Sequence, residues 1–112
     1  IVSKADRSAF AKFRLGIAPI ALETGRYIGL PVEQRVCTFC NMQAVESESH
    51  VLLDCPFYAD LRDFLFSSLS RHVNNFTLMS REEQISVILG GKLCTRLCAK
   101  TCKLVLDRRA TV

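Results

Sequence analysis

Four residues with metal-binding side chains lie close together in the sequence. Cys37, Cys40, His50 and Cys55 follow the spacing Cys-x2-Cys-x9-His-x4-Cys. Three thiolates and one imidazole are soft and borderline ligands, which zinc binds in a tetrahedron. The two-residue gap allows Cys37 and Cys40 to bind one ion from a tight turn. Because the protein would supply all four ligands, with no position open to water, the pattern predicts one structural Zn²⁺ rather than a catalytic one.

Other roles for these four residues leave at least one of the four unexplained. A Cys-x2-Cys pair can be a redox centre, and a chain with six cysteines can be a disulfide scaffold. Neither accounts for His50, which is one of only two histidines in the chain. A hydrolytic zinc enzyme would need water in place of one protein ligand. We therefore expect no catalytic site in these residues.

Length and composition predict one domain, residues 1–112, with a true hydrophobic core, because 49% of the residues are hydrophobic. The chain starts at Ile1 rather than Met, so we expect it to be part of a longer protein. It has neither a secretory signal pattern nor an apolar run of the ~20 residues that a membrane span needs. Six thiols without such a signal suggest a reducing compartment, and we expect the nucleus. The net charge of +4 favours an acidic partner such as nucleic acid.

Helical periodicity predicts a mainly α-helical fold of four to five helices, with an irregular loop before the zinc site. A first helix, capped by either Ser3 or Asp6, is expected to run to about Leu15, with Phe10, Phe13 and Ile17 on one apolar stripe. Residues 18–36 contain two prolines and two glycines and are expected to form an ordered loop with one turn of helix. Pro56 suits the first turn of the next helix. Its expected buried residues are Phe57, Leu61, Phe64, Leu65 and Leu69.

Two further helices are predicted in the C-terminal part. Ser80 and Glu83 form a capping box that predicts a helix over 81–89, and Gly90 with Gly91 ends it. A last helix is expected from about Lys92 to Arg108, with two distinct sides. The basic side comprises Lys92, Arg96, Lys100 and Lys103. The apolar side comprises Leu93, Cys94, Leu97, Cys98, Cys102, Leu104 and Val105.

Three of the cysteines in the last helix share one apolar face. Cys94, Cys98 and Cys102 are spaced by four residues each. A second metal site would need a fourth ligand, and His72 is the only spare imidazole. We therefore expect these thiols to be metal-free members of the core, since cysteine often serves as a small buried hydrophobic residue.

The region around the four ligands resembles the zinc-binding segment at the C-terminal end of LINE-type (non-LTR) retrotransposon reverse transcriptases. A similar CCHC module forms the C-terminal tail of RAG-like transposases. The likeness covers about half of the chain. It is carried by Arg14-Leu15-Gly16, Glu23-Thr24-Gly25-Arg26-Tyr27, Arg35, Cys37, Cys40, His50, Cys55-Pro56, Tyr58 and Arg62.

The resemblance implies a zinc module over residues 15–62, followed by a helical part over 63–109. It also implies an accessory module of a transposase or reverse transcriptase that grips element ends or target DNA. Double-stranded DNA is the expected partner, with RNA as a second choice and the parent enzyme core as a protein partner; no membrane contact is expected. The alternative is a protein-docking module that makes no contact with nucleic acid.

The candidate contacts to nucleic acid are basic residues, because phosphates are bound by Lys and Arg. We expect contact to concentrate near the zinc, with the stripe from Lys92 to Lys103 second. Phe39 and Tyr27 could each stack on a base or pack against the protein. The candidates are Lys12, Arg14, Arg26, Arg35, Lys92, Arg96, Lys100 and Lys103.

Overall fold

The computed structural model describes residues 2–111, and these residues form five α-helices. Within that range, extended backbone pairs only at one isolated antiparallel bridge, between Val36 and Val45. The prediction of a mainly helical fold with an irregular loop before the Cys/His segment is confirmed. The helices are α1 (Lys4–Arg14), α2 (Ala21–Tyr27), α3 (Ala59–His72), α4 (Arg81–Leu89) and α5 (Thr95–Ala110). Shorter helical turns lie at Val32–Gln34, His50–Asp54, Pro56–Tyr58 and Phe76–Leu78.

The core is built around α5. Helix α1 packs along it, α3 packs against it, and α4 contacts both α1 and α5. Phe10 and Phe13 of α1 are buried, as are Cys98, Cys102 and Val105 of α5. Burying a large apolar side chain of this kind contributes roughly 1.5–3 kcal/mol. In the described part of the chain, no helix is long and apolar enough to cross a bilayer.

Helix α1 begins as predicted but ends too early to bury Ile17. The Ser3 hydroxyl accepts a hydrogen bond of 3.1 Å from the Asp6 N–H and so caps the first turn. The helix ends at Arg14, and Gly16 takes a left-handed conformation with φ of +70°. The helical periodicity stops there, so Ile17 is 50% exposed and does not continue the Phe10–Phe13 stripe.

Residues 18–36 hold more helix than the sequence indicates. Helix α2 has seven residues, and its first N–H, from Ala21, is bound by the Glu46 carboxylate at 2.6 Å. The Thr24 hydroxyl also donates to the Ile20 carbonyl. A cap that comes from 25 residues downstream leaves no local signal, which is why the sequence predicted only one turn.

Helices α3 and α5 differ in detail from their predicted form. Phe64 of α3 is 66% exposed rather than buried. Helix α5 starts at Thr95 instead of Lys92, because Gly91 (φ +76°) and Cys94 (φ +48°) both take left-handed conformations that a right-handed helix cannot include. Lys92 and Leu93 therefore lie in the turn before α5. The capping box of α4 is confirmed, and that helix has the predicted bounds.

Candidate metal centre

Two local structures bring the four predicted ligands together. Residues 36–45 form a tight hairpin in which the Cys37 N–H donates to the Ala44 carbonyl at 2.9 Å. This hairpin carries Cys37 and Cys40. A widened helical turn, His50–Asp54, carries His50, and Cys55 follows it directly, with its N–H bonded to the His50 carbonyl at 2.8 Å.

The ligand atoms have the spacing of a tetrahedral metal site. All four lie within 4.8 Å of one another. The Sγ atoms of Cys37 and Cys55 are 3.9 Å apart, and Cys40 Sγ is 3.4 Å from His50 Nε2. With metal–sulfur bonds of about 2.3 Å and metal–nitrogen bonds of about 2.0–2.1 Å, the tetrahedron edges are about 3.8 and 3.6 Å. These two separations are close to those edges, and the predicted set of four is confirmed as a group that could hold one metal.

Burial favours the neutral form of three of these side chains when no metal is bound. It raises the pKa of the Cys37 thiol and raises that of Cys55 to about 12. Burial also lowers the pKa of His50, which keeps the imidazole neutral and able to bind a metal through Nε2. The Phe39 N–H donates to Cys37 Sγ at 3.4 Å, a contact that favours a negatively charged sulfur. A cation that replaces the thiol protons would offset the cost of burying thiolates here.

Arg62 holds the widened turn in place. Its guanidinium donates to the carbonyls of Leu52 (3.0 Å), Val51 (3.2 Å) and Cys55 (2.7 Å). Such carbonyls have no helical partner, because the turn is too short to continue as a regular helix. One planar guanidinium with five N–H donors can satisfy all three. Arg62 thereby fixes the backbone that positions His50 and Cys55.

A buried ion pair connects the metal hairpin to α5. Glu46 is 1% exposed and accepts two hydrogen bonds of 2.8 Å from Arg109. The Arg109 guanidinium also lies over the Phe39 ring, at 5.2 Å from its centroid. The other contact of that ring is a parallel stack on Phe57, with centroids 5.0 Å apart. Phe39 therefore packs against the protein, and the sequence analysis did not predict the Glu46–Arg109 pair.

Arg35 has an internal role that the sequence analysis did not predict. Its Nε donates to the Leu30 carbonyl at 2.8 Å and its Nη1 to the Leu22 carbonyl at 2.9 Å. Its side chain crosses Gly25 so closely that a Cβ on that glycine would come within 2.6 Å of Arg35 Cγ. Arg35 therefore links α2 to the segment that enters the metal hairpin, and Gly25 leaves the space for its side chain.

The remaining candidate contacts to nucleic acid lie mostly on α1 and α5. Lys12 and Lys103 line one groove between these helices, and Arg96 and Lys100 line another between α5 and the end of α3. Lys103 is paired with Asp107 at 2.5 Å. Arg14 lies beside Gly91, near Lys92, with its guanidinium over the Phe10 ring.

The three cysteines near α5 do not join the metal group. Cys98 and Cys102 are fully buried in the core, while Cys94 is half-buried at the turn before the helix. Burial raises the pKa of Cys98 to about 12 and raises that of Cys102 further. Within residues 2–111, there is no second group of three or more Cys, His, Asp or Glu side chains close enough together to hold a metal ion.

Comparisons of the whole chain with protein-family models, with curated proteins and with solved structures gave no match. The geometry of the Cys3His group is therefore the firmest basis for a function.

Proposed function

We propose that Cys37, Cys40, His50 and Cys55 hold one structural Zn²⁺, and that the domain built on it binds nucleic acid. The observation that carries this proposal is the mutual spacing of the four ligand atoms, all within 4.8 Å. Three sulfurs and one imidazole in a tetrahedron are a donor set that zinc prefers. With four protein ligands, the ion would have no open position for substrate, which supports a structural role.

The distribution of charge supports a nucleic-acid partner. Several basic side chains within residues 2–111 make neither an ion pair nor a side-chain hydrogen bond, and they lie on α1, at the end of α3, before α5 and on α5. These residues are Lys4, Arg7, Lys12, Arg14, Arg71, Lys92, Arg96 and Lys100. Cations without an internal partner are available to neutralise phosphates.

The surface that we favour is the outer side of α5, here called the α5 ridge, formed by Arg96, Lys100 and Lys103 together with Lys12. At ~100° per residue, the three α5 residues fall within a sector of about 60°. Helix α1 borders the ridge on the Lys103 side and the end of α3 borders it on the Lys100 side. A row of cations along one helix suits the regular phosphate spacing of a duplex.

The resemblance noted in the sequence supports a parent enzyme that is a LINE-type reverse transcriptase or a RAG-like transposase. In that setting, the domain would be an accessory module without a catalytic site, and its nucleic acid would be duplex DNA at element ends or targets. The role proposed for the domain is to add affinity and position, while a catalytic core elsewhere performs the chemistry.

The test combines metal analysis with a duplex titration. Elemental analysis of the purified chain should give one zinc per molecule. Fluorescence anisotropy with a labelled duplex, at 50 and 200 mM salt, should show binding that weakens steeply as salt rises. A chain that holds zinc but binds no duplex at 50 mM salt would instead be a docking module. A chain that holds no metal would refute the zinc assignment itself.

A further inference from the structure

An exposed aromatic ring lies at the C-terminal end of α2. Tyr27 is 74% exposed, although it is one of the larger side chains in the protein. Its hydroxyl donates a hydrogen bond of 3.0 Å to Glu23 Oε1, one helical turn earlier. The ring is therefore both open to solvent and held at its polar end.

Arg26 completes this arrangement from one side. Its Nη2 pairs with the same Glu23 oxygen at 2.8 Å, and its guanidinium carbon lies over the Tyr27 ring at 5.3 Å from the centroid. Glu23 is buried, and the Arg26 hydrogen bond is the main cause that lowers its pKa, so this carboxylate remains ionised near neutral pH. One buried anion thus orients both an exposed ring and an exposed guanidinium.

Tyr27 differs in this respect from Phe39, the other aromatic candidate. Phe39 stacks on Phe57 and is covered by Arg109. Tyr27 has Arg26 on one side and is otherwise largely open to solvent. A flat, preoriented and open ring suits stacking on another flat group, because little side-chain entropy remains to be lost on binding.

We infer that Tyr27 is a stacking site for an unpaired nucleic-acid base, with Arg26 placed to contact the phosphate of the same nucleotide. Arg26 uses Nη2 for Glu23, which leaves its Nε and Nη1 donors for a phosphate oxygen. Bases within a duplex are already stacked on both faces, so only a single strand or an unpaired extension can use the ring. This inference rests on the proposed function and names its substrate more closely: a duplex with an adjoining unpaired strand.

The test uses the metal-loaded chain and two DNA probes, a blunt duplex and the same duplex with an unpaired 3′ extension that carries 2-aminopurine. Stacking of a base on an aromatic side chain is worth roughly 1–3 kcal/mol, so the extended probe should bind about 5-fold tighter or more. The 2-aminopurine fluorescence should be quenched on binding. Tyr27→Leu should remove the quenching and the preference, while Tyr27→Phe should keep part of both.

Ile28→Ala is the matched control, because Ile28 is 77% exposed and adjacent to Tyr27. It should change neither the preference nor the quenching. If both probes bind equally and Tyr27→Leu changes nothing, the stacking site is refuted while the proposed function stands. If neither probe binds, the proposed function fails and the stacking site fails with it. Repeating the extension with ribonucleotides identifies the sugar that is preferred, and loss of that binding in Tyr27→Leu supports the site for either sugar.

Discussion

Arginines around the metal centre and the cations of the α5 ridge have the same charge but opposite uses. Arg35 and Arg62 direct their guanidinium groups at backbone carbonyls, and Arg109 binds the buried Glu46. On the ridge, Arg96 and Lys100 have no such partners in the described chain. The backbone around the metal centre is irregular, so some of its carbonyls lack the hydrogen-bond partners that a regular helix would supply. The ridge lies on a regular helix that satisfies its own backbone, so Arg96 and Lys100 are not needed to bind carbonyls, while Lys103 pairs with Asp107.

The comparison means that Arg35, Arg62 and Arg109 bind groups inside the protein. The expected concentration of nucleic-acid contact near the zinc stays a prediction. A guanidinium that donates hydrogen bonds to two or three carbonyls contributes to folding, so its removal should lower the stability of the domain. A solvated lysine on a helix contributes little to folding stability, so its removal should weaken only the binding of a charged partner. The four predictions that follow test this division, beginning with the largest effect.

Loss of a metal ligand should unfold the domain. Cys55→Ser and His50→Ala should each lose most of the helical circular-dichroism signal, because metal binding supplies folding free energy, with apparent values of about 10–16 kcal/mol in zinc-finger peptides. Cys94→Ser is the matched control, since Cys94 lies outside the metal group, and it should keep both the signal and one metal per chain. A chelator that leaves the spectrum unchanged would contradict this prediction.

Metal affinity should fall steeply as the pH falls. The metal-free protein carries both protons at neutral pH, because burial raises the pKa of the Cys37 thiol and that of Cys55 to about 12 in the folded chain, and a cysteine in an unfolded chain has a pKa of about 8.5. Binding must expel them, and affinity should decrease by about 100-fold or more for each unit that the pH is lowered. Competition with a chromophoric chelator at pH 7.5 and 6.5 measures the change. A decrease below 10-fold would mean that the thiols are already ionised.

Arg62→Ala should destabilise the metal-loaded domain by about 2–4 kcal/mol, since three partly buried hydrogen bonds to carbonyls are lost. Arg62→Lys should recover little of this, because one ammonium cannot match the fork of the guanidinium. Arg7→Ala removes an exposed arginine of α1 and should remain within about 0.5 kcal/mol of the parent. Thermal denaturation compares the three, and equal melting temperatures for Arg62→Ala and Arg7→Ala would contradict the structural role of Arg62.

The α5 ridge should show the smallest effect on stability and the clearest effect on binding. Replacing Arg96 and Lys100 with alanine should leave the melting temperature nearly unchanged. It should reduce the slope of log affinity against log salt by about 1.8, for two lost phosphate contacts at about 0.9 each. Fluorescence anisotropy with a labelled duplex at several salt concentrations measures the slope.

A matched double variant separates the ridge from net charge. Lys4→Ala with Arg7→Ala removes the same charge at the N-terminal end of α1. The other end of α1, at Arg14, lies beside Gly91 just before α5 begins, so the two substitutions are away from Arg96 and Lys100. This double variant should change the slope much less. If the two double variants reduce affinity equally, the interaction is governed by total charge and the α5 ridge is not the site.

Local signals in the sequence account for much of the fold. The Ser3 cap, the capping box of Ser80 and Glu83, and the Gly90-Gly91 break are interactions among neighbours, and the helices they predict are present. The group of four residues that could hold one metal was also predicted, because its chemistry and spacing are themselves local. The contribution of Arg96 and Lys100 to nucleic-acid binding stays a prediction.

Tertiary structure alone decided which polar and aromatic side chains are internal. Glu46 caps α2 across 25 residues and pairs with Arg109 across 63 residues, so neither contact can be inferred from spacing. Arg35 and Phe39 were equally suited to nucleic acid by type, but Arg35 binds the carbonyls of Leu22 and Leu30, and Phe39 stacks on Phe57. The physical reason is that the burial of a side chain and its hydrogen-bond partners depend on which parts of the chain pack against it in the folded protein. The sequence by itself therefore specified the Cys3His group that could hold one metal and most helices, while packing determined which cations and rings remain available on the surface.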